Sequence, residues 1–411
     1  MSATLRRLEQ AESSELATTI RNAGVSGAGG AGFPSYAKWD RLDEVDHLLV
    51  NHQESEPNYY IDKWLGRERT EELATLFDAL LDRAFETIVV GAKAKDRDEW
   101  MREFEAAADA TVYHPEELPM NPDEASGVVI AYTEDRYEFG MESVLLRMVA
   151  DVVIGQELPM DHGWIVQNTE TLYNILRAFR DGEPTTHKYV HVGGNVPEHR
   201  FLRVPVGTPA ESVVQAAGRS VSDLAEGEIL ADGGPGWCFE IERPGEFGVT
   251  KRTNCVTVLD ADVAEENTLG NEGRINVLGA HDWDGDHETE PTTLRPEFVR
   301  VPLVTNPNFE GVVVPSDPIV SPGDRVSKGE MIATPGSDGI SNAQHASIDG
   351  EVTEVTESHV EIHRVEASGA RTAADIDRPI YWTWCRECGD YATMTEQGGS
   401  DPTEYVCQNC R

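Results

Sequence analysis

Four cysteines near the end of the chain have the spacing of a metal site. Cys385 and Cys388 form one C-x-x-C pair, and Cys407 and Cys410 form a second pair after an interval typical of zinc ribbons. Four thiolates suit a tetrahedral ion, and an all-cysteine set without an open position is structural. The pattern therefore predicts a zinc ribbon. Iron in a rubredoxin-like site is the alternative, because four-sulfur geometry admits both metals.

A glycine-rich stretch, VSGAGGAGFPSYAKW, could hold a phosphate. Gly27, Gly29 and Gly32 satisfy the G-x-G-x-x-G pattern. Glycines let backbone N–H groups approach an anion, and Lys38 adds an ammonium group close by. The preceding segment has helical spacing, however, whereas the dinucleotide fingerprint follows a strand. A flexible turn that binds nothing is the alternative interpretation.

A second polar cluster, VNHQESEP, follows a segment that reads as a buried strand. Asn51, Glu54 and Glu56 lie just past its end, where parallel sheets gather ligand-binding groups. A carboxylate there can accept hydrogen bonds from ribose hydroxyls, and an asparagine can serve the imide edge of a flavin. In so acidic a chain, solvated surface carboxylates are the alternative.

Strand and helix patterns alternate through the first part of the chain. SSELATTIRN and EELATLFDALLDRAF have helical spacing, whereas DHLLVN, ETIVV and GVVIAY read as buried strands. This order predicts a parallel sheet flanked by helices up to about residue 185. Residues 186–262 predict a compact α+β domain, 263–296 an acidic linker, and 297–366 a small barrel or sandwich of short strands.

The chain is strongly acidic along its whole length. It has 74 acidic against 34 basic residues, a net charge of −40. Such a surface stays soluble where salt screens its self-repulsion, which indicates adaptation to high salt. It lacks the basic stripe that nucleic-acid binding needs. No apolar run approaches the ~20 residues of a membrane span, and MSATLRRLEQAESSEL lacks a signal core, so we expect a cytoplasmic protein without direct membrane insertion.

Four motifs in one order resemble a known family. GAGGAGFPSYAKW, VNHQESEP followed by Asp62, YEFGMES and IVQNTETLYNI resemble the motifs of the NADH-binding flavoprotein subunit of respiratory complex I. The RnfC proteins of Rnf electron-transport complexes and the cobalamin reductase of propanediol-utilising bacteria share them. KYVHVGGNVPEHRFLRVPVGTP resembles their soluble-ligand-binding β-grasp (SLBB) domain, and residues 311–350 resemble the barrel-sandwich domain of the Rnf type.

The resemblance implies an α/β fold class with five parts. A Rossmann-like FMN/NADH-binding domain at 1–185 precedes the SLBB domain at 186–262 and the linker. A barrel-sandwich hybrid at 297–366 and the zinc ribbon at 380–411 follow. VSPGDRVSKGEMIA is typical of biotinyl or lipoyl barrels, but ISNAQHASIDG lacks the modifiable lysine, so we expect a non-acylated scaffold.

The resemblance also implies roles for individual residues. Lys38 would lie near the FMN phosphate, Phe33 by the NADH adenine, and Glu56 at the NADH ribose. Tyr137 and Glu142 are the catalytic candidates, beside the flavin where the nicotinamide arrives. The implied cofactor-binding residues are Gly27, Gly29, Gly30, Gly32, Phe33, Lys38, Asn51, Glu54, Glu56, Gly140, Asn168 and Thr171.

The sequence departs from the family at several points. Ala28 replaces an arginine, Gln53 an aspartate, Met141 a glutamate and Gln167 an asparagine. The chain also lacks the C-x-x-C-x-x-C-x-x-x-C run of the iron–sulfur relay in Rnf-type members.

Two functional hypotheses follow. The first is an FMN oxidoreductase that takes a hydride from NADH and passes electrons to an unidentified acceptor protein or complex subunit, with peripheral recruitment to a membrane complex. The second is a non-catalytic relative that acts as a binding or assembly module through its SLBB, barrel-sandwich and ribbon domains.

Overall fold

The computed structural model describes residues 5–224, 227–270, 273–280, 283, 288–306 and 311–365, and the strand backbones at 381–384 and 391–394. Its α-helices are α1 (Arg6–Gln10), α2 (Ser13–Asn22), α3 (Tyr36–Trp39), α4 (Ile61–Glu68), α5 (Thr70–Arg83), α6 (Arg102–Ala107), α7 (Glu142–Ala150), α8 (Thr169–Asp181), α9 (Ala210–Ala216) and α10 (Ala261–Glu266). Within these described residues, every helix is too short or too polar to cross a bilayer.

A five-stranded parallel sheet forms the first domain, as the alternating pattern predicts. Its strands are β1 (His47–His52), β2 (Thr87–Lys93), β3 (Thr111–Tyr113), β4 (Gly127–Thr133) and β5 (Trp164–Asn168). Their order is β3-β4-β2-β1-β5, and every pair is parallel. The strands are continuous apolar runs because both faces of the sheet are covered.

Successive residues of β1 face opposite layers. Leu48 and Val50 belong to the large core that includes the apolar faces of α2, α4, α5 and α8. Leu49 belongs to a smaller core with Leu145 and Leu146 of α7. This alternation anchors β1 in the centre of the domain and fixes the position of the polar residues at its carboxyl end.

An eight-stranded sheet forms the second domain. Its strands are β6 (His187–Gly194), β7 (Arg200–Pro205), β8 (Glu228–Gly234), β9 (Trp237–Glu240), β10 (Cys255–Asp260), β11 (Thr268–Leu269), β12 (Arg274–Ile275) and β13 (Thr292–Thr293), in the order β11-β12-β9-β8-β10-β6-β7-β13. Strands β11, β12 and β13 lie in the segment predicted as an acidic linker. These three strands therefore extend the sheet at both edges, so the described part of this segment does more than connect two domains.

Short antiparallel strands form the third domain, as the turn pattern predicts. They are β14 (Phe298–Pro302), β15 (Asp317–Pro318), β16 (Arg325–Val326), β17 (Met331–Thr334), β18 (Gln344–His345), β19 (Gly350–Val355) and β20 (His359–Arg364). The sheets β14-β20-β19-β16 and β15-β17-β18 share one apolar core, which includes Val301, Ile332 and Ile362. Strands β21 (Tyr381–Trp384) and β22 (Tyr391–Met394) pair further on; Cys385, Cys388, Cys407 and Cys410 lie outside the described residues.

Candidate functional site

The predicted polar clusters meet at the carboxyl edge of the parallel sheet. Asn51 of β1 is paired in register with Asn168 of β5 on one side and with Gly91 of β2 on the other. The strand order changes direction beside β1, and in open α/β sheets ligands bind at such a switch point. Motifs more than a hundred residues apart in sequence are thus adjacent in space.

The glycine loop lies against the start of α8. Asn168 caps this helix, because its Oδ1 accepts hydrogen bonds from the backbone N–H groups of Glu170 (3.0 Å) and Thr171 (3.4 Å). The N–H of Ala28 donates to Thr171 Oγ1 at 2.9 Å. A Cβ on Gly29 would lie 3.1 Å from the Asn168 side chain. Loop backbone and helix N-terminus therefore face each other closely, an arrangement that favours an anion.

The third domain holds the glycine loop from outside. Asn342 Nδ2 donates to the carbonyl of Val25 and to Ser26 Oγ, both at 2.8 Å. Asn306 Nδ2 donates to the carbonyl of Ala31 at 2.6 Å. Gly32 has a positive φ of 63°, and a Cβ there would lie 2.8 Å from Asn306 Cβ. The loop conformation thus depends on residues about 300 positions downstream.

Lys38 contacts the carboxyl end of β5. Its Nζ donates to the carboxylate of Glu142 at 2.8 Å and to the carbonyl of Val166 at 2.9 Å. The side chain of Lys38 is 16% exposed, against 41% for Glu142. The predicted phosphate ligand and one predicted catalytic residue therefore form an ion pair with each other at the edge of the site.

Glu54, which is half-buried, and Asp62, which is buried, form a pair of acids beside Asn168. Glu54 has a φ of 41°, and its Oε2 accepts the N–H groups of Asp62 (2.5 Å) and Lys63 (3.3 Å) at the start of α4. Asn168 Nδ2 donates to Asp62 Oδ2 at 2.7 Å. Desolvation raises the pKa of Glu54 to about 7 and the pKa of Asp62 well above its usual value. Both acids therefore hold protons more readily than surface carboxyls do.

Glu56 is bound by the turn between β8 and β9. Its carboxylate accepts the Tyr137 hydroxyl at 2.8 Å and the Gly236 N–H at 2.9 Å. Arg274 Nη2 donates to the carbonyl of the same Gly236 at 3.2 Å. Burial raises the pKa of Glu56, although these hydrogen bonds oppose the shift. Glu56 is the predicted partner of the NADH ribose, and both of its carboxylate oxygens thus already accept hydrogen bonds within the protein.

Asn51 joins the strand end to the Tyr137–Gly140 turn, because its Nδ2 donates to the carbonyl of Gly140 at 2.7 Å. The structure therefore brings together the predicted side chains at Lys38, Asn51, Glu54, Glu56, Tyr137, Glu142, Asn168 and Thr171. For Phe33, the structure shows its carbonyl accepting the Gly27 N–H at 2.8 Å, which closes the glycine loop. Its predicted place beside an adenine stays a prediction.

The site retains buried polar atoms that a ligand can satisfy. Gln53 Nε2, Ser55 Oγ, Asp62 Oδ1 and Gln167 Nε2 are buried and lack a hydrogen-bond partner among the described residues. Two of these residues, Gln53 and Gln167, are positions where the sequence departs from the family. Buried polar groups without a hydrogen-bond partner are rare in native structures, so each of them needs an explanation such as a ligand. Donors and acceptors along a strand edge beside a glycine loop fit FMN, whose imide, ribityl and phosphate groups need both.

Three residues at the site have no signal in the local sequence. Asn306 and Asn342 contact the glycine loop backbone and Ser26, and Gly236 binds Glu56 through its N–H. Only ISNAQHASIDG, which stands where carriers have a lysine hairpin, draws attention to the segment that contains Asn342.

Comparisons with known proteins agree with the sequence motifs. Residues 20–177 match the family profile of the Nuo51 FMN-binding domain, and residues 296–370 match the RnfC barrel sandwich hybrid domain. The chain is 30% identical over 274 residues to the C component of the ion-translocating oxidoreductase complex of Rhodobacter capsulatus, covering 64% of this chain and 48% of that protein. It is 30% identical over 221 residues to the cobalamin reductase PduS of Salmonella typhimurium, covering 53% and 44%.

The chain thus spans about half the length of these curated relatives. Among solved structures, an NAD+-reducing [NiFe]-hydrogenase in the H2-reduced state gives a TM-score of 0.46 at 19% identity, over 65% of this chain and 54% of that one. The two matched domains and the two relatives confirm the resemblance that the motifs predict, to the Nuo51 FMN-binding domain, the RnfC proteins and the cobalamin reductases.

Proposed function

We propose that this protein is an FMN-dependent oxidoreductase that takes a hydride from NADH and passes electrons to a partner protein. The observation that carries the proposal is the convergence at one sheet edge. The glycine loop, the capped start of α8 and the orphaned Oδ1 of Asp62 lie together at the ends of β1 and β5, and orphaned polar atoms of Gln53 and Ser55 follow β1 directly in the chain. Such a set suits a phosphorylated, hydrogen-bonding ring system better than it suits a plain turn.

The residues that would hold FMN fall into two groups. The loop glycines, the N-terminus of α8 and Lys38 would hold the phosphate end, because they offer N–H groups and a positive charge. Asn51, Gln53 and Asp62 would hold the ring and the ribityl chain through side-chain hydrogen bonds. FMN, when bound, accepts a hydride from the nicotinamide and releases electrons to the next carrier. The protein supplies placement, charge and exclusion of water, so a catalytic triad is not required.

Glu56, Tyr137 and the β8–β9 turn would form the entrance for the nicotinamide nucleotide. Ribose hydroxyls would replace the Gly236 N–H or the Tyr137 hydroxyl on the Glu56 carboxylate. Glu142, whose charge is balanced by Lys38, would keep a negative charge near the ring without leaving it unpaired. In this arrangement, nucleotide binding exchanges protein hydrogen bonds for ligand ones.

A partner must take the electrons, since the sequence contains no run of ferredoxin-type cysteines. The Rhodobacter relative is by name a component of an ion-translocating complex. We therefore propose an electron-accepting protein of such a complex as partner, peripheral recruitment to that complex, an SLBB-type second domain, and zinc at the four C-terminal cysteines.

A non-catalytic binding module is the second candidate. Two substitutions favour it: Ala28 stands where relatives have an arginine, and Met141 where they have a glutamate. Each removes a charge from the predicted nucleotide path. The module would keep the fold and use its outer domains for docking.

Visible absorption separates the two candidates. The full chain, purified in high salt and supplied with FMN, should carry a flavin spectrum that bleaches when NADH is added without oxygen. A protein that cannot be loaded with FMN contradicts the enzyme and supports the module. A yellow protein that neither NADH nor NADPH bleaches keeps the flavin and removes the donor. Metal analysis of the same sample distinguishes zinc from iron.

A further inference from the structure

One histidine and two glutamates lie together on the β19–β20 hairpin of the third domain, away from the flavin site. His359, Glu354 and Glu361 each offer a ligand atom, and these atoms lie within 4.8 Å of one another. Glu354 and Glu361 are direct cross-strand partners. Two carboxylates at such positions repel each other, which destabilises the pair. A cation bound between the two carboxylates would therefore remove this electrostatic repulsion.

His359 is oriented toward the two acids. Its side chain is only 8% exposed. Its Nδ1 lies 3.0 Å from Ser358 Oγ and 3.2 Å from Thr356 Oγ1. Its Nε2 is buried, lacks a hydrogen-bond partner among the described residues, and lies 3.9 Å from Glu354 Oε2. Metal-binding histidines are typically held in this way, with one ring nitrogen on a polar partner and the other free to coordinate.

The surroundings of His359 also favour the neutral form of its imidazole. Burial lowers the pKa of His359, and the nearby Arg300 lowers it further, against the opposing effect of Glu354, Glu361 and Glu246. A neutral ring is the form that coordinates metal ions. The imidazole therefore gains little from pairing with Glu354 as a salt bridge, and a separation of 3.9 Å is longer than a hydrogen bond.

The two carboxylates differ in freedom. Glu361 is fixed: Arg300 Nε donates to its Oε2 at 2.9 Å, and Thr353 and His363 contact its Oε1 at 3.0 and 2.9 Å. Glu354 is 59% exposed and makes no hydrogen bond that the structure describes. Glu354 can therefore move aside to admit an ion and then close on it. One arginine balances only one of the two carboxylates, so a negative charge remains for a cation.

We propose that His359 Nε2 and one oxygen each from Glu354 and Glu361 bind a single divalent transition-metal ion of the Zn²⁺ class. A nitrogen ligand with two carboxylates suits Zn²⁺ better than Mg²⁺ or Ca²⁺, which prefer oxygen ligands alone. Three protein ligands leave a position open to water or to a side chain of a partner. The ion would link the two strands at the tip of the hairpin.

Isothermal titration of Zn²⁺ into the full chain tests the site. The protein is first loaded with one equivalent of Zn²⁺, which the four C-terminal cysteines are expected to take. We expect a further equivalent to bind and to raise the melting temperature. His359→Gln should weaken that equivalent at least tenfold. A matched control, His162→Gln, removes an imidazole from the Glu157 pair, 2.8 Å apart, which has no third ligand among the described residues, and should leave binding unchanged.

Three outcomes overturn the proposal. In the first, the wild-type chain takes up no further equivalent beyond the one loaded, which would show that the cluster is only a polar surface. In the second, His359→Gln and His162→Gln weaken binding equally, which indicates adventitious surface binding. The third is an unchanged Zn²⁺ affinity in Glu354→Gln, an isosteric change at an exposed position. This variant also tests the site if His359→Gln does not fold. None of these results depends on FMN binding.

Discussion

The two ends of the candidate site differ in how their polar groups are held. At the glycine-loop end, Asn306 and Asn342 donate to backbone carbonyls of the loop, and Asp62 Oδ1 beside Asn168 lacks a hydrogen-bond partner among the described residues. At the Glu56 end, the carboxylate is already satisfied by Tyr137 and Gly236. The first end is preorganised for a ligand, whereas at the second end a ligand would replace one of two existing hydrogen bonds.

This difference explains where the sequence tolerates change. Ala28 makes its contact at the glycine-loop end through its backbone N–H, so the loss of a side chain there leaves the Thr171 hydrogen bond intact. Met141 removes a side-chain charge close to the Tyr137 turn, where contacts are made by side chains. We therefore expect flavin binding to be more robust than nucleotide binding, and variants at the two ends should separate the two properties.

The largest effect is expected from Gly32→Ala at the glycine-loop end. A side chain at a φ of 63° costs about 1–2 kcal/mol, and the new Cβ would also lie 2.8 Å from Asn306 and 2.9 Å from the carbonyl of Thr305. We expect FMN affinity to fall by at least about 30-fold, or ~2 kcal/mol, measured by quenching of flavin fluorescence.

Gly270→Ala is the matched control for this variant. Gly270 has a similar φ of 69°, but no atom of the described residues beyond its chain neighbours lies within 4 Å of its Cβ position. It should lose some stability and keep its FMN affinity. Equal FMN affinity in the two variants would show that the close packing of Asn306 and Thr305 against Gly32 does not affect flavin binding.

Asn342→Ala removes hydrogen bonds that hold the glycine loop and should have a smaller effect on FMN affinity. The change removes two hydrogen bonds, which costs about 1–2 kcal/mol of unfolding free energy, while the Val25 carbonyl keeps the Ser35 N–H as a donor. FMN affinity should fall by roughly 5- to 10-fold, since the loop loses one of its two outer contacts. Exposed Asn121, changed to alanine, serves as control in both urea unfolding and flavin titration. An FMN affinity unaltered by Asn342→Ala would mean that the loop holds its shape without the third domain.

At the other end, Glu56→Gln should affect the nucleotide alone. The amide keeps one acceptor but loses the charge that strengthens hydrogen bonds from ribose hydroxyls, a loss of about 1–1.5 kcal/mol. Reduction of the bound flavin should need roughly tenfold more NADH, with FMN content unchanged. Stopped-flow reduction measures both. Glu138→Gln, at the half-exposed neighbour of Tyr137, should leave the NADH dependence as in the wild type. Loss of FMN from Glu56→Gln would instead place Glu56 in the flavin site.

The first and third domains can be predicted from the sequence because their patterns are local. DHLLVN corresponds to β1 within a residue or two, and SSELATTIRN corresponds to α2. The linker prediction fails because β11, β12 and β13 have two residues each. Strands this short show no alternation, and they form only because an existing sheet edge offers unpaired backbone groups.

The site is predictable only where side chains carry the contact. Lys38, Glu56 and Asn168 stand in motifs, and the structure brings them to one sheet edge. Asn306, Asn342 and Gly236 act on or through backbone atoms. Such contacts require a particular distance between distant segments and leave no pattern in the residues. The pairing of Lys38 with Glu142 likewise has no sequence signal, because the motifs assign each residue to a different partner.

The prediction with the smallest expected effect on ligand binding is a pH dependence of folding stability, which Glu54 contributes between the two ends. Burial raises its pKa from the ordinary value to about 7, so between these values the folded protein binds more protons than the unfolded chain. Stability should therefore fall as pH rises from about 5 to about 7.5 and then level off, by at most ~1.4 kcal/mol per pH unit for one group. Urea unfolding at constant salt measures the slope, and Glu54→Gln should flatten it. Glu105→Gln is the control: burial acts to raise the pKa of Glu105, but hydrogen bonds from Arg97 and Tyr132 outweigh it and lower that pKa, so its contribution changes only at more acidic pH. A slope that survives in Glu54→Gln would assign the titration to Asp62, whose carboxyl lies against the same helix start, and would place the proton nearer to the Asn168 side of the site.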